Sequence, residues 1–342
     1  ELRKIIFDPL IKFIGDCKHL FLSPDGNLAK IPFEVLPLNN GCRLIDRYKI
    51  SYLNNGRDVL LFGAATKNVT NPSLVIADPD YNLNRKNSEI LTDKFSEGSK
   101  QSKDLKSENF YFEPLPGTKK EAKEIATKLG VKPWMQADVL KSKLKQTQSP
   151  YILHIATHGF FLENQKSDVS MEKLRTIRIK GIKHFFTTET EVEDPMLRSG
   201  LVFAGANTWL QKGLLFQEGE NGILTAEEIS NLDLFNTELV VLSACDTGLG
   251  DIQVSEGVFG LQRAFLLAGA KTIIMSLWKV PDQQTQELMV YFYNRILAGE
   301  SRSDALREAQ LAMKAKYSNP LYWGAFICLG NINPLLGLKQ LN

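Results

Sequence analysis

The sequence is poor in cysteine and has no long hydrophobic run. Its 342 residues include only four cysteines, Cys17, Cys42, Cys245 and Cys328, without CxxC or Cys/His ligand spacing. This scarcity argues against a zinc site or a disulfide scaffold and favours a reducing, cytoplasmic setting. No apolar run approaches the roughly 18 residues of a membrane-spanning helix, and no signal-peptide pattern opens the chain, so no membrane partner is expected.

The sequence also lacks a strong excess of charge of either sign. The formal net charge is +2, and 23% of the residues are charged against 43% hydrophobic, an ordinary globular balance. Charge alone therefore does not point to nucleic acid as a partner. The length fits one large or two ordinary domains. The chain opens with Glu1 rather than Met, and we expect it to be a processed or excised piece of a longer protein.

Turn clusters divide the first 70 residues into short apolar runs. The clusters PDG at 24–26 and NNG at 39–41 are typical of turns. Residues 1–70 are therefore predicted to form short strands and hairpins, a β-rich extension that packs on the core. The apolar run SLVIADPD at 73–80 predicts a buried strand, which begins a main domain over 71–330. Residues 331–342 are interpreted as a C-terminal tail.

Beyond residue 71, short apolar runs alternate with amphipathic segments. Strands are predicted at 151–161, 271–278 and 323–330, and helices at 255–269, 282–298 and 303–316. This alternation predicts an α/β fold with a mostly parallel central sheet and helices on both faces. Thr118 and Glu121 have the spacing of a capping box, so a further helix is expected to begin at Thr118 and to stop at Gly130.

Two polar stretches interrupt the alternation of strands and helices. Residues 81–113 are predicted to be a long flexible insertion, and residues 163–195 form a second insertion with the basic stretch KLRTIRIKGIKH and the acidic stretch TETEVED. The basic side chains are expected to be solvated and balanced by the acidic ones, so nucleic acid takes part only indirectly, if at all. The place of the second insertion, after the strand at 151–161, suits a mobile lid.

Two apolar runs end in residues that suit thiol chemistry. The run LVVLSACDTGLG at 239–250 leads to Cys245, which is either a small buried hydrophobe or a nucleophile. The run YILHIATHG at 151–159 ends in His158 and Gly159. Because neighbouring parallel strands end at the same edge of a sheet, we expect the imidazole of His158 to face the thiol of Cys245 and to activate it. The N–H groups of Gly159 and Cys245 are the expected oxyanion donors.

The second histidine of the strand invites a different interpretation. His154 and His158 have HxxxH spacing, but the Glu of the zinc motif HExxH is missing and no third ligand is evident. We therefore expect neither a metal nor an organic cofactor. His154 lies deeper along the strand and is predicted to be a hydrogen-bonded core residue.

The motifs together resemble a known family. HIATHGFF, then LSACDTGLG, then SEGVFGLQRAFLLAGAKTIIMSLWKVPDQQTQELMVYFYNRILAG are similar to the CHAT family, caspase-like domains often found behind tetratricopeptide repeats. The resemblance covers about residues 1–330 and implies a caspase-like fold. It also implies endopeptidase chemistry through a thioester, with His158 as the catalytic histidine and Cys245 as the nucleophile. The partners it implies are a protein substrate and an upstream tetratricopeptide-repeat domain or regulatory protein.

The stretch SLWKVPDQQTQ resembles the segment of separase that lines the pocket for the substrate side chain before the scissile bond, the P1 residue. By this resemblance Asp282 lies at the pocket floor and favours Arg or Lys at P1. Alternatively, Asp282 is an N-terminal residue of the helix at 282–298, where the helix dipole favours an acid. Separase carries an acid where this chain has Lys279, so that position is not transferred.

Three further residues are candidates for the same pocket. Trp278 is either a pocket wall or a core residue. Ser243 precedes Cys245 by two positions and shares its face, where it either supports the nucleophile or packs as a small residue. Asp246 either orients the loop and receives a substrate amine, or stabilises the turn.

The leading hypothesis is a cysteine endopeptidase with a His158–Cys245 dyad. The alternative is a catalytically silent scaffold or sensor domain that keeps the fold. A thiol hydrolase or acyltransferase acting on a small molecule would use the same dyad. The presence of both dyad residues favours an enzyme over the scaffold.

Overall fold

The computed structural model describes residues 1–38, 41–62, 71–84, 102, 105, 110–162, 176–179, 182–185, 194–217, 219–243 and 257–336. In chain order its strands are β1 (His19–Leu22), β2 (Lys49–Tyr52), β3 (Leu74–Pro79), β4 (Trp134–Gln136), β5 (Ile152–Ala156), β6 (Gly159–Phe161), β7 (Thr176–Ile179), β8 (Ile182–Phe185), β9 (Ser199–Val202), β10 (Ile223–Thr225), β11 (Leu239–Leu242), β12 (Thr272–Ser276) and β13 (Phe326–Gly330).

The α-helices alternate with these strands. They are α1 (Leu2–Ile6), α2 (Ile11–Ile14), α3 (Leu44–Arg47), α4 (Pro116–Leu129), α5 (Lys141–Lys145), α6 (Ala206–Lys212), α7 (Ala226–Ser230), α8 (Gly257–Leu267), α9 (Asp282–Leu297) and α10 (Arg302–Lys316). Short 3₁₀ helices lie at Asp8–Leu10, Gly26–Lys30, Phe33–Val35, Gly56–Leu61, Pro195–Leu197 and Pro320–Tyr322.

Eight of these strands form the central sheet, in the order β1-β2-β13-β12-β11-β5-β3-β4. All neighbouring pairs are parallel except β12 with β13. The runs of β3, β5 and β11 are buried along their whole length, because helices cover the sheet on both sides. The predicted α/β class with a mostly parallel sheet is confirmed.

Strand alternation divides the core into two layers. Val75, Ile152 and Val241 face a layer that α4, α9 and α10 cover with buried residues such as Ile125 and Leu288. The intervening strand residues face a second layer that contains residues of α7 and α8. The expectation of helices on both faces is therefore confirmed, and His154, in phase with Ile152, points toward α4 and α9.

The described part of residues 1–62 extends the central sheet. β1 and β2 pair in parallel, and β2 continues the sheet beyond β13. The crossover between them contains α3 and the 3₁₀ turns Gly26–Lys30 and Phe33–Val35. Within it, the residues on either side of the predicted turn at 39–41 pair antiparallel: Pro37 bridges Arg43, and the Leu38 N–H donates to the Cys42 carbonyl at 2.7 Å. A hairpin-like pairing therefore flanks this turn, whereas β1 and β2 themselves are parallel neighbours.

The segment predicted as a single strand over 151–161 is two strands in two sheets. β5 belongs to the central sheet, whereas β6 pairs with β9 in a three-stranded antiparallel sheet of order β10-β9-β6. The change of partner occurs at Thr157 and His158. The Thr157 hydroxyl donates to the Val202 carbonyl at 2.5 Å, and the His158 carbonyl accepts from the Val202 N–H at 2.9 Å.

The stretch 81–113 is not flexible at its described ends. Tyr81, Phe110 and Phe112 are buried in a satellite cluster with Phe160 and Trp209. In the stretch 163–195, the described strands β7 and β8 pair antiparallel. The helix predicted for 255–269 is described from Gly257 to Leu267.

Candidate active site

The dyad strands are direct neighbours in the sheet. β5 and β11 pair in parallel, with Ile155 opposite Leu242, and the Ser243 N–H continues the pairing by donating to the Ile155 carbonyl at 2.9 Å. Both strands therefore end at the same edge, as predicted. Cys245 and Asp246 lie outside the described residues, so the approach of the thiol to the imidazole stays a prediction.

His158 sits in a narrow setting at this edge, with only 2% of its surface exposed. Its ring lies between two aromatic rings, with centroids 5.2 Å from Tyr81 and 5.5 Å from Phe112. Its Nε2 atom is 2.7 Å from the carbonyl oxygen of Glu113. A carbonyl oxygen only accepts, so Nε2 carries the proton and, in the neutral ring, Nδ1 is the acceptor atom. The main chain thereby sets the tautomer.

Gly159, the predicted oxyanion donor, begins β6 at the edge of the antiparallel sheet. The neighbouring residues that bond to β9 are His158, through its carbonyl to Val202, and Leu162, through its N–H to Arg198. Because hydrogen-bonded and non-bonded pairs alternate in an antiparallel ladder, the Gly159–Leu201 pair is a non-bonded one. The N–H of Gly159 is therefore directed away from β9.

A small cavity opens beside the carboxyl ends of the central strands. Its lining comes from the ends of β5, β11 and β12 and from the beginnings of α4 and α9, namely Leu115, Thr118, Glu121, Thr157, Ser243, Ser276, Lys279, Val280, Asp282 and Thr285. Clefts at this edge of an α/β sheet are the usual place for ligands. Ser243 and Asp282, two of the predicted pocket residues, line it together.

Asp282 fits both interpretations given from the sequence. It is the first residue of α9, and its Oδ2 atom also accepts from the N–H of Gly117 in α4 at 3.3 Å. Gly117 permits this approach, since a Cβ there would lie 2.3 Å from the Cβ of Asp282. The carboxylate thus faces two helix N-termini and the cavity at once.

Trp278 does not line this cavity. Its side chain is half-buried, packs against both layers of the core, and donates its indole N–H to the Leu321 carbonyl at 3.2 Å. Among the described residues, Trp278 therefore contacts the core, in line with the alternative interpretation. Its role as a pocket wall stays untested.

Glu121 is a site residue that the sequence interpretation missed. The capping-box prediction was wrong: α4 begins at Pro116, and Glu121 is buried instead of returning to the helix end. Its Oε2 accepts from the Ser243 hydroxyl at 3.1 Å, and its Oε1 lies 3.1 Å from His154 Nε2. The Nδ1 atom of His154 is 3.2 Å from the Tyr293 hydroxyl. His154 is thus the hydrogen-bonded core residue that was predicted.

Within this network, burial keeps the hydroxyl of Tyr293 in its neutral form. Burial, followed by the negative charge of Glu121, raises the pKa of Tyr293 well above its ordinary value, so its hydroxyl stays protonated. A buried carboxylate needs such partners because it has lost its water. Glu121 lies on the same helical face as Ala122 and Ile125, and an acid on an apolar face was the signal for its role.

Metal-binding clusters and membrane-spanning helices are absent from the described residues. No group of three or more His, Cys, Asp or Glu among them could hold a metal ion. Within the same ranges, no helix combines the length and the apolar character needed to cross a bilayer.

The sequence matches the CHAT domain over residues 1–331. Over 111 residues, 32% of this chain, it is 34% identical to tetratricopeptide repeat protein 28 of Homo sapiens, and it is 33% identical to the protein of the same name from Mus musculus. The match spans 4% of the length of these relatives.

Two solved structures are similar over most of the chain. The separase–securin complex of Saccharomyces cerevisiae has a TM-score of 0.44 at 12% identity and covers 92% of this chain and 15% of that one. The Arg-specific cysteine proteinase gingipain R has a TM-score of 0.47 at 9% identity and covers 98% of this chain and 67% of that one. Similarities this distant say nothing about activity.

Proposed function

Because the chain belongs to the CHAT-domain family, we propose that it is a cysteine endopeptidase in which His158 activates Cys245. One observation carries the proposal. The register of β5 and β11 pairs Ile155 with Leu242, 87 positions apart (242 − 155 = 87), and 87 positions also separate His158 from Cys245. The equal spacing supports the proposal that the two dyad residues meet at this edge, beyond Ala156 and Leu242, where the paired strands end.

The setting of His158 supports its role as the base. With the proton on Nε2 held by the Glu113 carbonyl, Nδ1 takes the proton of the thiol. The carbonyl then stabilises the imidazolium while the thiolate adds to the scissile carbonyl. The tetrahedral intermediate collapses to a thioester when the C–N bond breaks and Nδ1 gives its proton to the leaving amine. The Gly159 N–H, directed away from β9, and the Cys245 N–H receive the oxyanion. Water then hydrolyses the thioester.

The cavity supports the proposed preference for a basic P1 residue. Two carboxylates, Glu121 and Asp282, and one cation, Lys279, line it, which leaves an excess of negative charge. The hydroxyl of Ser243 donates to Glu121. A guanidinium or ammonium group is the complement of such a lining. We propose Asp282 as the direct partner of P1 and Ser243 as support, with Asp246 and Trp278 at the margins. The substrate is a protein, and a tetratricopeptide-repeat domain or partner regulates its access in the cytoplasm.

The test combines peptide cleavage with thiol alkylation. A peptide library varied at P1 is incubated with the wild type and with the Cys245→Ala and His158→Gln variants, alone and with tetratricopeptide-repeat partners. We expect cleavage after Arg or Lys by the wild type only. Asp282→Asn should lower kcat/KM for a P1 Arg peptide by about 10- to 100-fold, whereas Asp138→Asn, an exposed control, should leave it unchanged.

Alkylation measures the reactivity of the Cys245 thiol directly. In a Cys17→Ser, Cys42→Ser background, the exposed competing thiols are removed, and burial raises the pKa of Cys328 to about 12, which keeps it unreactive. Iodoacetamide should then label Cys245 with a midpoint below the ordinary thiol value of about 8.5. No turnover under any condition, together with an ordinary labelling profile, would show a scaffold or sensor domain instead.

A further inference from the structure

Asn207 joins two chain segments that lie far apart in sequence. It is fully buried near the beginning of α6. Its Oδ1 accepts from the N–H of Phe112 at 2.9 Å, and its Nδ2 donates to the carbonyl of the same Phe112 at 2.9 Å. The same Nδ2 also donates to Asn82 Oδ1 at 3.1 Å. One amide side chain therefore takes the place of a neighbouring strand for Phe112.

The main chain around Asn207 holds the other segment. The N–H of Asn207 donates to the carbonyl of Tyr81 at 2.9 Å, and the N–H of Gly205 donates to the carbonyl of Asp80 at 2.9 Å. The start of α6 is thus bonded both to residues 80–82 and to Phe112. These bonds lie inside the satellite cluster, where an unmade hydrogen bond is costly.

Both segments, residues 80–82 and 112–113, contact the imidazole of His158. Tyr81 contributes one of the two flanking rings, and its hydroxyl accepts from the N–H of His158 at 3.4 Å. Phe112 contributes the other ring, and the carbonyl that holds Nε2 belongs to the next residue, Glu113. Phe112 is bonded at both of its main-chain groups, so the chain enters Glu113 from a fixed position and direction, only two rotatable bonds before the carbonyl that holds Nε2.

We infer that Asn207 is a positioning residue for His158: by pairing with Phe112, it places the Glu113 carbonyl on Nε2 and so sets the tautomer of the ring. The inference rests on the proposed function only in taking His158 as the base. Asn suits the position because its amide both accepts from an N–H and donates to a carbonyl. Ala offers neither group, and Asp keeps only the acceptor.

Asn221 provides a matched control. It is also buried, with 5% of its surface exposed, and its Oδ1 accepts from the N–H of Ile223 at 3.0 Å. This bond is local to its own loop. Asn221→Ala therefore removes a buried amide of the same kind without touching Phe112 or Glu113.

The experiment reads the ring of His158 directly. Protein labelled with ¹⁵N-histidine carries Cys245→Ala, so that no thiol affects the ring, and His158 is assigned among the four histidines by His158→Gln. Long-range ¹H–¹⁵N spectra distinguish the Nε2–H from the Nδ1–H tautomer. We expect a slowly exchanging Nε2–H in this reference and in Asn221→Ala. In Asn207→Ala we expect a mixture of tautomers and at least about tenfold faster exchange of the ring proton.

The outcomes separate the inference from the proposed function. Identical His158 signals in Asn207→Ala and Asn221→Ala would overturn the inference. If Asn207→Ala does not fold, Asn207→Asp replaces it under the same criteria. In protein that retains Cys245, Asn207→Ala should also lower kcat/KM about tenfold and shift the alkylation midpoint upward. If the wild-type protein cleaves no peptide under any condition, the proposed function fails, whereas the spectra of the Cys245→Ala protein still decide the role of Asn207.

Discussion

The two histidines of the segment 151–161 lie four residues apart, yet they are held in opposite ways. His154 is enclosed by side chains from two helices, the Glu121 carboxylate and the Tyr293 hydroxyl. His158 is held by a neutral main-chain carbonyl and two ring faces. The first arrangement braces the sheet against α4 and α9. The second fixes the orientation and tautomer of a ring through a main-chain carbonyl.

The largest expected effect separates the two rings. His158→Gln should lower kcat/KM by about 10³-fold or more, because it removes the general base, with little change in melting temperature. His154→Gln should do the reverse, lowering stability while activity per folded molecule stays within a few-fold. Peptide cleavage and thermal unfolding of both variants check this. Equal losses of activity in the two variants would break the distinction between them.

The second prediction tests the contacts that join His154 to α4 and α9, here called the His154 brace: Glu121 and Tyr293. Glu121→Ala removes the partner of both His154 and Ser243, and we expect it to lower the free energy of unfolding by about 3 kcal/mol, measured in denaturant. Glu124→Ala, at a half-buried position of the same helix where Glu124 accepts from Gln286 of α9, should cost no more than about 1 kcal/mol. A similar loss in both would show that the buried network contributes nothing specific.

Glu34 is a second buried acid, and its hydrogen-bond partner is the neutral hydroxyl of Tyr52. Glu34 accepts from the Tyr52 hydroxyl at 2.6 Å, and burial raises its pKa to about 7. The folded protein therefore binds this proton more tightly than the unfolded chain, and stability should fall as pH rises from about 4.5 to about 7. Glu34→Gln should remove that fall, on the order of 2 kcal/mol, in unfolding curves recorded across this range.

The smallest effect is expected at Tyr293, the residue of the His154 brace that lies in α9. Tyr293→Phe removes one buried hydroxyl from His154 and should cost about 1 kcal/mol in denaturant unfolding, with no change in peptide cleavage. Tyr291→Phe, at a more exposed position of the same helix, is the control and should be neutral. A loss of cleavage in Tyr293→Phe would mean that the brace reaches the active site.

The sequence was most informative where the local pattern and the final environment agree. The apolar runs of β5 and β11 predicted buried parallel strands, and their common edge followed from that alone. The break after Ala156 was not predictable, because apolar residues resume at Phe160 after only Thr157, His158 and Gly159, and the distant Val202 takes over the pairing. Glu121 was misread since its spacing from Thr118 also fits a local cap.

The environment of His158 could not be predicted from the sequence, for a related reason. Tyr81 and Phe112 stand at the ends of a polar stretch without periodicity, so nothing local indicates that they are buried. Their place depends on Asn207, about a hundred residues later in the chain. Contacts of this range have no signature in a single sequence, which is why the common edge of β5 and β11 could be predicted and the surroundings of His158 could not.

The pairing of β2 with β13 has a consequence for the order of assembly. β2 is completed by β13, a strand synthesised long after it, through Tyr52 and Leu329, and the ion pair of Lys49 with Asp304 joins the same regions at 2.9 Å. Until β13 emerges from the ribosome, β1 and β2 have no sheet to join, and their edge is open to unwanted association. The strands and helices that line the cavity beside Asp282 are therefore synthesised before β13 completes the sheet on its other side.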